Sequence, residues 1–314
     1  MSALDSLAAS TVVVVDTADL DLLSRWSARD ATTNPSLIRK AAADPRYARL
    51  VAAAVSGSAD VNDRLDALLV AFGVQILQRL PGRVSTEVDA RLSHDTEGTL
   101  RRARALMARY AAQGVPRERV LIKIAATWEG IVAARMLEAE GIHCNLTLLF
   151  SFAQAQACAA AGVKLISPFV GRITDWHRLQ AGGAWDAEQR RGANDPGVQA
   201  VRRIWYDYKQ QGVPTEVMGA SFRDLDQIAA LAGCDLLTIP PALLDALAAS
   251  DRAMPRQLDA AQAGPAIDPL PPVLSQQDFE QCMRTDRMAT EKLQEGVRLF
   301  SADTEAVLSQ LAAA

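Results

Sequence analysis

The sequence predicts an α/β protein built as a single (β/α)8 barrel, and three observations carry that prediction. Eight short runs rich in β-branched and apolar residues recur along the chain. Stretches of helical period separate them, the pattern of parallel strands joined by crossover helices. The length, 314 residues, suits one barrel carrying extra helices.

In chain order the strand candidates are "VVVVD" (12–16), "ATTN" (31–34), "VSTEV" (84–88), "VLIKI" (120–124), "CNLTLL" (144–149), "LISPF" (165–169), "EVMGAS" (216–221) and "LLTIP" (236–240). Gly114, Gly141, Gly162, Gly212 and Gly233 each close a helical stretch shortly before a strand. Asp195 before Pro196 reads as an N-cap and first helical residue, with Thr127 and Ser151 as further caps. Residues 35–83 hold two helical patterns that read as barrel cover, and the Gly- and Ala-rich stretch 177–195 reads as a loop. Residues 255–275, rich in Pro and Ala, read as a connection to one or two amphipathic C-terminal helices. The expected organisation is one domain over 1–314, with a barrel core at about 12–250 and a helical extension at about 276–312.

Composition excludes several classes. The net charge is −4 and no long basic stripe is present, which argues against a nucleic-acid partner. No apolar run reaches the ~18 residues of a membrane span, and the N-terminal segment lacks the basic start of a signal peptide. Cys144, Cys158, Cys234 and Cys282 form no C-x-x-C pair and read as reduced thiols of a cytoplasmic protein. His94, His143 and His177 lack metal-ligand spacing, so no metal is expected.

The polar residues fall where a barrel places its active site, at the C-terminal ends of the strands. Asp16 ends the first run, Asn34 the second, and Glu87 lies in the third. Lys123 sits in the fourth, in what reads as largely apolar surroundings. Asn145 and Thr147 are two apart in the fifth and so share a face. Ser167 lies in the sixth with Arg172 beyond it, and Ser221 closes the seventh ahead of Arg223; the eighth offers only Thr238. Singly, each has an ordinary explanation: a snorkelling lysine, a capping acid, a turn asparagine, surface arginines. The convergence of seven polar strand ends on one rim is what calls for a site.

A desolvated lysine holds its charged form at a cost, and its neutral amine attacks a ketone to form a Schiff base. The protonated imine is an electron sink that lets a neighbouring C–C bond break without metal or cofactor. Asp16 and Glu87 are suited to proton transfer. Asn34, Asn145, Thr147 and Ser167 are suited to orienting hydroxyls, and Arg172 with Arg223 to a phosphate. The residues alone thus point to a cofactor-free Schiff-base lyase or transferase acting on a phosphorylated polyol ketone.

Six segments, "VVVVDTAD", "ATTNPSL", "STEVDARLS", "LIKIAATWEGI", "CNLTLLFSFAQAQACAAAGVKLISPFVGRITDW" and "MGASFR", resemble the signature segments of transaldolases, in order from residue 12 to 223. "DRMATEKLQEGVRLFSADTE" resembles the family's last helices. The resemblance implies a (β/α)8 barrel, usually homodimeric, that moves dihydroxyacetone from sedoheptulose 7-phosphate to glyceraldehyde 3-phosphate in the non-oxidative pentose phosphate pathway. It implies that Lys123 forms the Schiff base, that Asp16 exchanges a proton with the C4 hydroxyl, and that Glu87 acts through a water held with Thr147. Asn34, Asn145 and Ser167 would hold the triose hydroxyls, and Arg172, Arg223 and Ser221 the phosphate.

Two other readings compete. Fructose 6-phosphate aldolases are shorter relatives that tend to carry Gln in place of Glu87 and Tyr in place of Phe169; Glu and Phe here favour the transferase. A phosphosugar-binding protein without chemistry would lack the lysine or its acids, whereas Lys123, Asp16 and Glu87 are all present. The C-terminal helices could also serve mainly as a partner surface.

Overall fold

A computed structural model describes residues 2–262 and 275–314. Eight parallel strands close into a barrel in sequence order: β1 (Val12–Asp16), β2 (Asp30–Thr32), β3 (Val84–Glu87), β4 (Val120–Ala125), β5 (Cys144–Leu149), β6 (Leu165–Pro168), β7 (Glu216–Gly219) and β8 (Leu236–Ile239). β1 pairs with both β2 and β8, so no sheet edge remains. Every expected strand is found. β2 is the one displaced: it begins at Asp30 and stops at Thr32, because Asn34 and Pro35 already open the next helix.

Side-chain alternation divides the barrel wall. Val13, Val15, Ile122, Ile124, Ile166 and Leu237 point outward into the main core against the helices. Val14, Leu121, Leu165, Met218 and Leu236 point inward and form a separate apolar plug. Two residues further along four of those strands come Asp16, Lys123, Ser167 and Thr238, all on the same inward face. The interior is therefore an apolar floor carrying a polar layer at the C-terminal end.

The helical punctuation forms as expected. Asp195 and Thr127 cap their helices through Val198 N and Gly130 N, and Ser151 forms a capping box with Gln154. Residues 35–83 hold three helices rather than two, Pro35–Ala42, Ala48–Ser56 and Val61–Leu77. Asp44 and Asp60, each accepting a backbone N–H, start new turns there. Helix Gly171–Ala181 runs into the stretch expected to be a loop. The C-terminal pattern is two helices, Gln276–Thr285 and Arg287–Ala313, divided at Asp286, which caps the second. Of the connection expected over 255–275, residues 263–274 lie outside the described residues. No described helix is long and apolar enough to cross a membrane.

Helix Arg287–Ala313 buries Leu293, Phe300, Val307 and Leu311 against the rest of the chain. A Cβ at Gly296 would lie 2.6 Å from Leu148 Cδ2, so the helix crosses directly over the end of β5. Arg39 pairs with Asp303 at 2.7 Å, and Arg64 donates to the Leu311 carbonyl at 2.6 Å. These contacts fasten the helix over the rim.

At the opposite end Arg83 crosses the barrel bottom. It reaches Asp30 at 2.9 Å and Glu216 at 2.7 Å, joining the first residues of β2 and β7. Burial pushes the Asp30 carboxyl up, but hydrogen bonds from Arg29 and the nearby Arg83 charge outweigh it and hold the pKa below the usual value. A depressed pKa contributes stability above the unfolded value that is lost as pH falls through the folded one. Asp30→Ala should therefore lower unfolding stability at neutral pH by about 3 kcal/mol, and the difference should shrink on acidification. Urea titrations across pH check this; a constant difference would contradict it.

Candidate active site

The polar layer surrounds a cavity of about 200 Å3 at the C-terminal mouth. Asp16, Asn34, Lys123, Thr147, Ser167, Phe169, Arg172, Ser221 and Arg223, all singled out in the sequence, line it. Glu87 and Asn145 are buried beside it. Their strands explain the placement: Glu87, Lys123 and Asn145 are register neighbours on β3, β4 and β5 and so face inward at one level.

Lys123 is 5 % exposed and so is Glu87. Nζ stands 2.9 Å from Glu87 Oε2, off the direction a good hydrogen bond needs, and donates to the Thr33 carbonyl at 3.0 Å. The expectation of largely apolar surroundings is thus corrected. The apolar residues of "VLIKI" face the other side of the wall or the floor, while Lys123 looks into a polar layer. Burial pushes the Glu87 carboxyl up, and the nearby Lys123 charge only partly offsets it. Thr147 Oγ1 is buried with no hydrogen-bond partner among the described residues.

Asp16 closes β1. Its pKa is also raised, by burial first, against lowering by Lys123 and by a hydrogen bond from Thr32. Thr32 Oγ1 donates to Asp16 Oδ1 at 2.7 Å and lies 2.6 Å from Thr238 Oγ1. A hydroxyl carries one proton, so Thr238 is the donor to Thr32. Asn145 is pinned on both sides, donating to Ser85 Oγ at 3.0 Å and accepting from Ser167 Oγ at 2.6 Å. Asn34 caps helix Pro35–Ala42 through Oδ1, which accepts from Leu37 N at 3.0 Å and leaves its amide nitrogen for the cavity.

The two arginines come from neighbouring loops. A Cβ on Gly171 would lie 2.3 Å from the Ser221 carbonyl, so only glycine lets the loop after β6 approach the loop after β7 this closely. Gly171 N donates to that carbonyl at 2.8 Å. Ser221 holds a left-handed backbone (φ 64°), an uncommon state for a serine that recurs where a loop is shaped for binding. Burial, and then the Arg223 charge, push the Arg172 pKa down. Two like charges held together mark a place where an anion is favoured. Arg223 meanwhile donates to Asp175 Oδ2 from Nε at 3.1 Å and from Nη2 at 2.8 Å.

Thr32, Asp175 and Phe300 were not picked out in the sequence. Thr32 precedes Asn34 by two and shares its alternation, which is the signal that could have found it. Phe300 lies far along the chain and no local pattern marks it. His94 and His143 contact glutamates on the surface, and no group of metal ligands occurs among the described residues. The cysteines are free, three of them buried.

Removing the Thr32 hydroxyl deletes a hydrogen bond to ionised Asp16 and so raises an already raised pKa. Thr32→Val should shift the acid limb of the activity profile to higher pH. Measuring kcat against pH checks this, and an unmoved limb would contradict the role given to that bond.

Two comparisons with known proteins bear on this geometry. The family described as Transaldolase/Fructose-6-phosphate aldolase matches residues 13–311. A protein named transaldolase from Methylibium petroleiphilum (strain ATCC BAA-1232 / LMG 22953 / PM1) is 54% identical over 304 residues, covering 96% of each chain. Both bear out the resemblance read from the sequence motifs. The chain belongs to the transaldolase/fructose-6-phosphate aldolase family.

Proposed function

We propose that the chain transfers a dihydroxyacetone unit from sedoheptulose 7-phosphate to glyceraldehyde 3-phosphate, giving erythrose 4-phosphate and fructose 6-phosphate. The observation that carries this reading is the Lys123 amine beside Glu87, opening into a cavity that ends at Arg172 and Arg223.

Lys123 Nζ attacks the C2 carbonyl of the ketose, and loss of water gives the imine. Glu87 moves protons in that step and in the final hydrolysis, through a water shared with Thr147. A carboxyl whose pKa is raised works as acid and as base near neutral pH. Asp16 takes the C4 hydroxyl proton, the C3–C4 bond breaks, and its electron pair enters the imine to leave an enamine. Erythrose 4-phosphate departs, the acceptor aldehyde enters, and the same proton returns to the new alkoxide. Asn34, Asn145 and Ser167 hold the triose hydroxyls. Arg172, Arg223 and Ser221 bind the phosphate, so Arg223 exchanges part of its Asp175 contact for the ligand.

The choice between transferase and aldolase rests on how the enamine is kept. Phe169 presents a ring against Phe150 at 5.4 Å and offers no proton, which favours transfer over release of free triose. We read the chain as one domain, a barrel core at about 12–250 with a C-terminal helical extension at about 276–312. The buried thiols fit a reducing cytoplasm.

Borohydride added with fructose 6-phosphate should trap a triose adduct on the peptide containing Lys123 and nowhere else. Lys123→Ala should abolish turnover with the fold retained by circular dichroism; substantial remaining activity would overturn the assignment. Glu87→Gln should slow imine formation and hydrolysis by about 10²- to 10⁴-fold and C–C cleavage less, as single-turnover measurements would read. The family resemblance supports a homodimer. Sedimentation at micromolar concentration should give the mass of two chains, and a monomer would contradict this.

A further inference from the structure

Arg172 is held by more than its own loop. Its guanidinium carbon lies 5.1 Å from the centre of the Phe169 ring and 5.4 Å from that of Phe300. Phe169 follows β6 directly, whereas Phe300 comes from the C-terminal helix. Phe300 is 2 % exposed and lines the same cavity. The Arg172 head feels the charges of Arg223, Glu295, Glu87, Asp175 and Asp16, and two aromatic rings flank it. Arg223, in contrast, is fixed by the two hydrogen bonds it donates to Asp175.

We propose that Phe300 is a positioning residue for phosphate recognition: with Phe169 it grips the planar Arg172 guanidinium and aims its N–H groups at the substrate phosphate. A planar cation between two aromatic faces keeps its edge free for bidentate bonds to phosphate while its faces are satisfied. The C-terminal helix is then part of the substrate site, and its attachment through Arg39–Asp303 sets the height of the upper ring. This inference rests on reading Arg172 as a phosphate ligand.

The test compares glyceraldehyde 3-phosphate with unphosphorylated glyceraldehyde as acceptor in Phe300→Leu, Arg172→Ala and the double variant. Leucine keeps most of the buried volume but has no π face; Phe300→Met serves if the leucine variant does not fold. The kcat/KM ratio of phosphorylated to unphosphorylated acceptor should fall about 3- to 30-fold in Phe300→Leu, mainly through KM. In the Arg172→Ala background Phe300→Leu should produce no further fall, because its action passes through the guanidinium. Independent, additive losses would mean that Phe300 is only a packing residue and would overturn the inference. An unchanged ratio in Phe300→Leu would do the same. An unchanged ratio in Arg172→Ala would instead overturn the phosphate reading of Arg172, on which the inference depends.

Discussion

A buried lysine amine beside a buried carboxyl group organises this molecule. Lys123 and Glu87 are both almost inaccessible and lie 2.9 Å apart inside the barrel. Removing two charges from water is expensive, and their mutual attraction repays it only when neighbours add hydrogen bonds. The Thr33 carbonyl accepts from the lysine, while Asp16 and Glu87 share its field. The acids remain harder to ionise than usual because burial outweighs the attraction of the lysine they share. This is an energetically poor way to fill a barrel and a good way to hold an amine next to two proton carriers.

The apolar floor makes that arrangement possible. Val14, Leu121, Leu165, Met218 and Leu236 seal the barrel beneath the polar layer. Lys123 is thereby shielded from one side and approachable from the other. At the bottom Arg83 ties β2 to β7, so stability and chemistry occupy opposite ends of the same strands, as barrels generally divide them. Across the top the C-terminal helix borders the cavity and brings Phe300 to Arg172.

Much of this was legible because alternation is a local property. Asp16, Lys123 and Ser167 each lie two residues beyond an apolar floor residue, so their shared face follows from the strand period alone. Asn34 was legible as a site residue but misplaced: it caps a helix rather than ending a strand, and a polar residue before proline looks much the same either way. The surroundings of Lys123 were misjudged for the converse reason. Its chain neighbours are apolar, but its spatial neighbours belong to adjacent strands. Phe300 and Asp175 were not legible at all, since their importance depends on contacts with Arg172 and Arg223 that no local pattern encodes. Gly171 shows its purpose only when the Ser221 carbonyl is seen against it.

The central claim is that this site keeps a lysine-bound triose until an acceptor arrives. The most direct measurement supplies fructose 6-phosphate with and without erythrose 4-phosphate and quantifies sedoheptulose 7-phosphate and free dihydroxyacetone. The account predicts that the heptulose phosphate forms only when acceptor is present and that little free triose appears in either case. Rapid release of free dihydroxyacetone without an acceptor would contradict it, and would make the protein an aldolase in which neither Glu87 nor Phe169 protects the enamine.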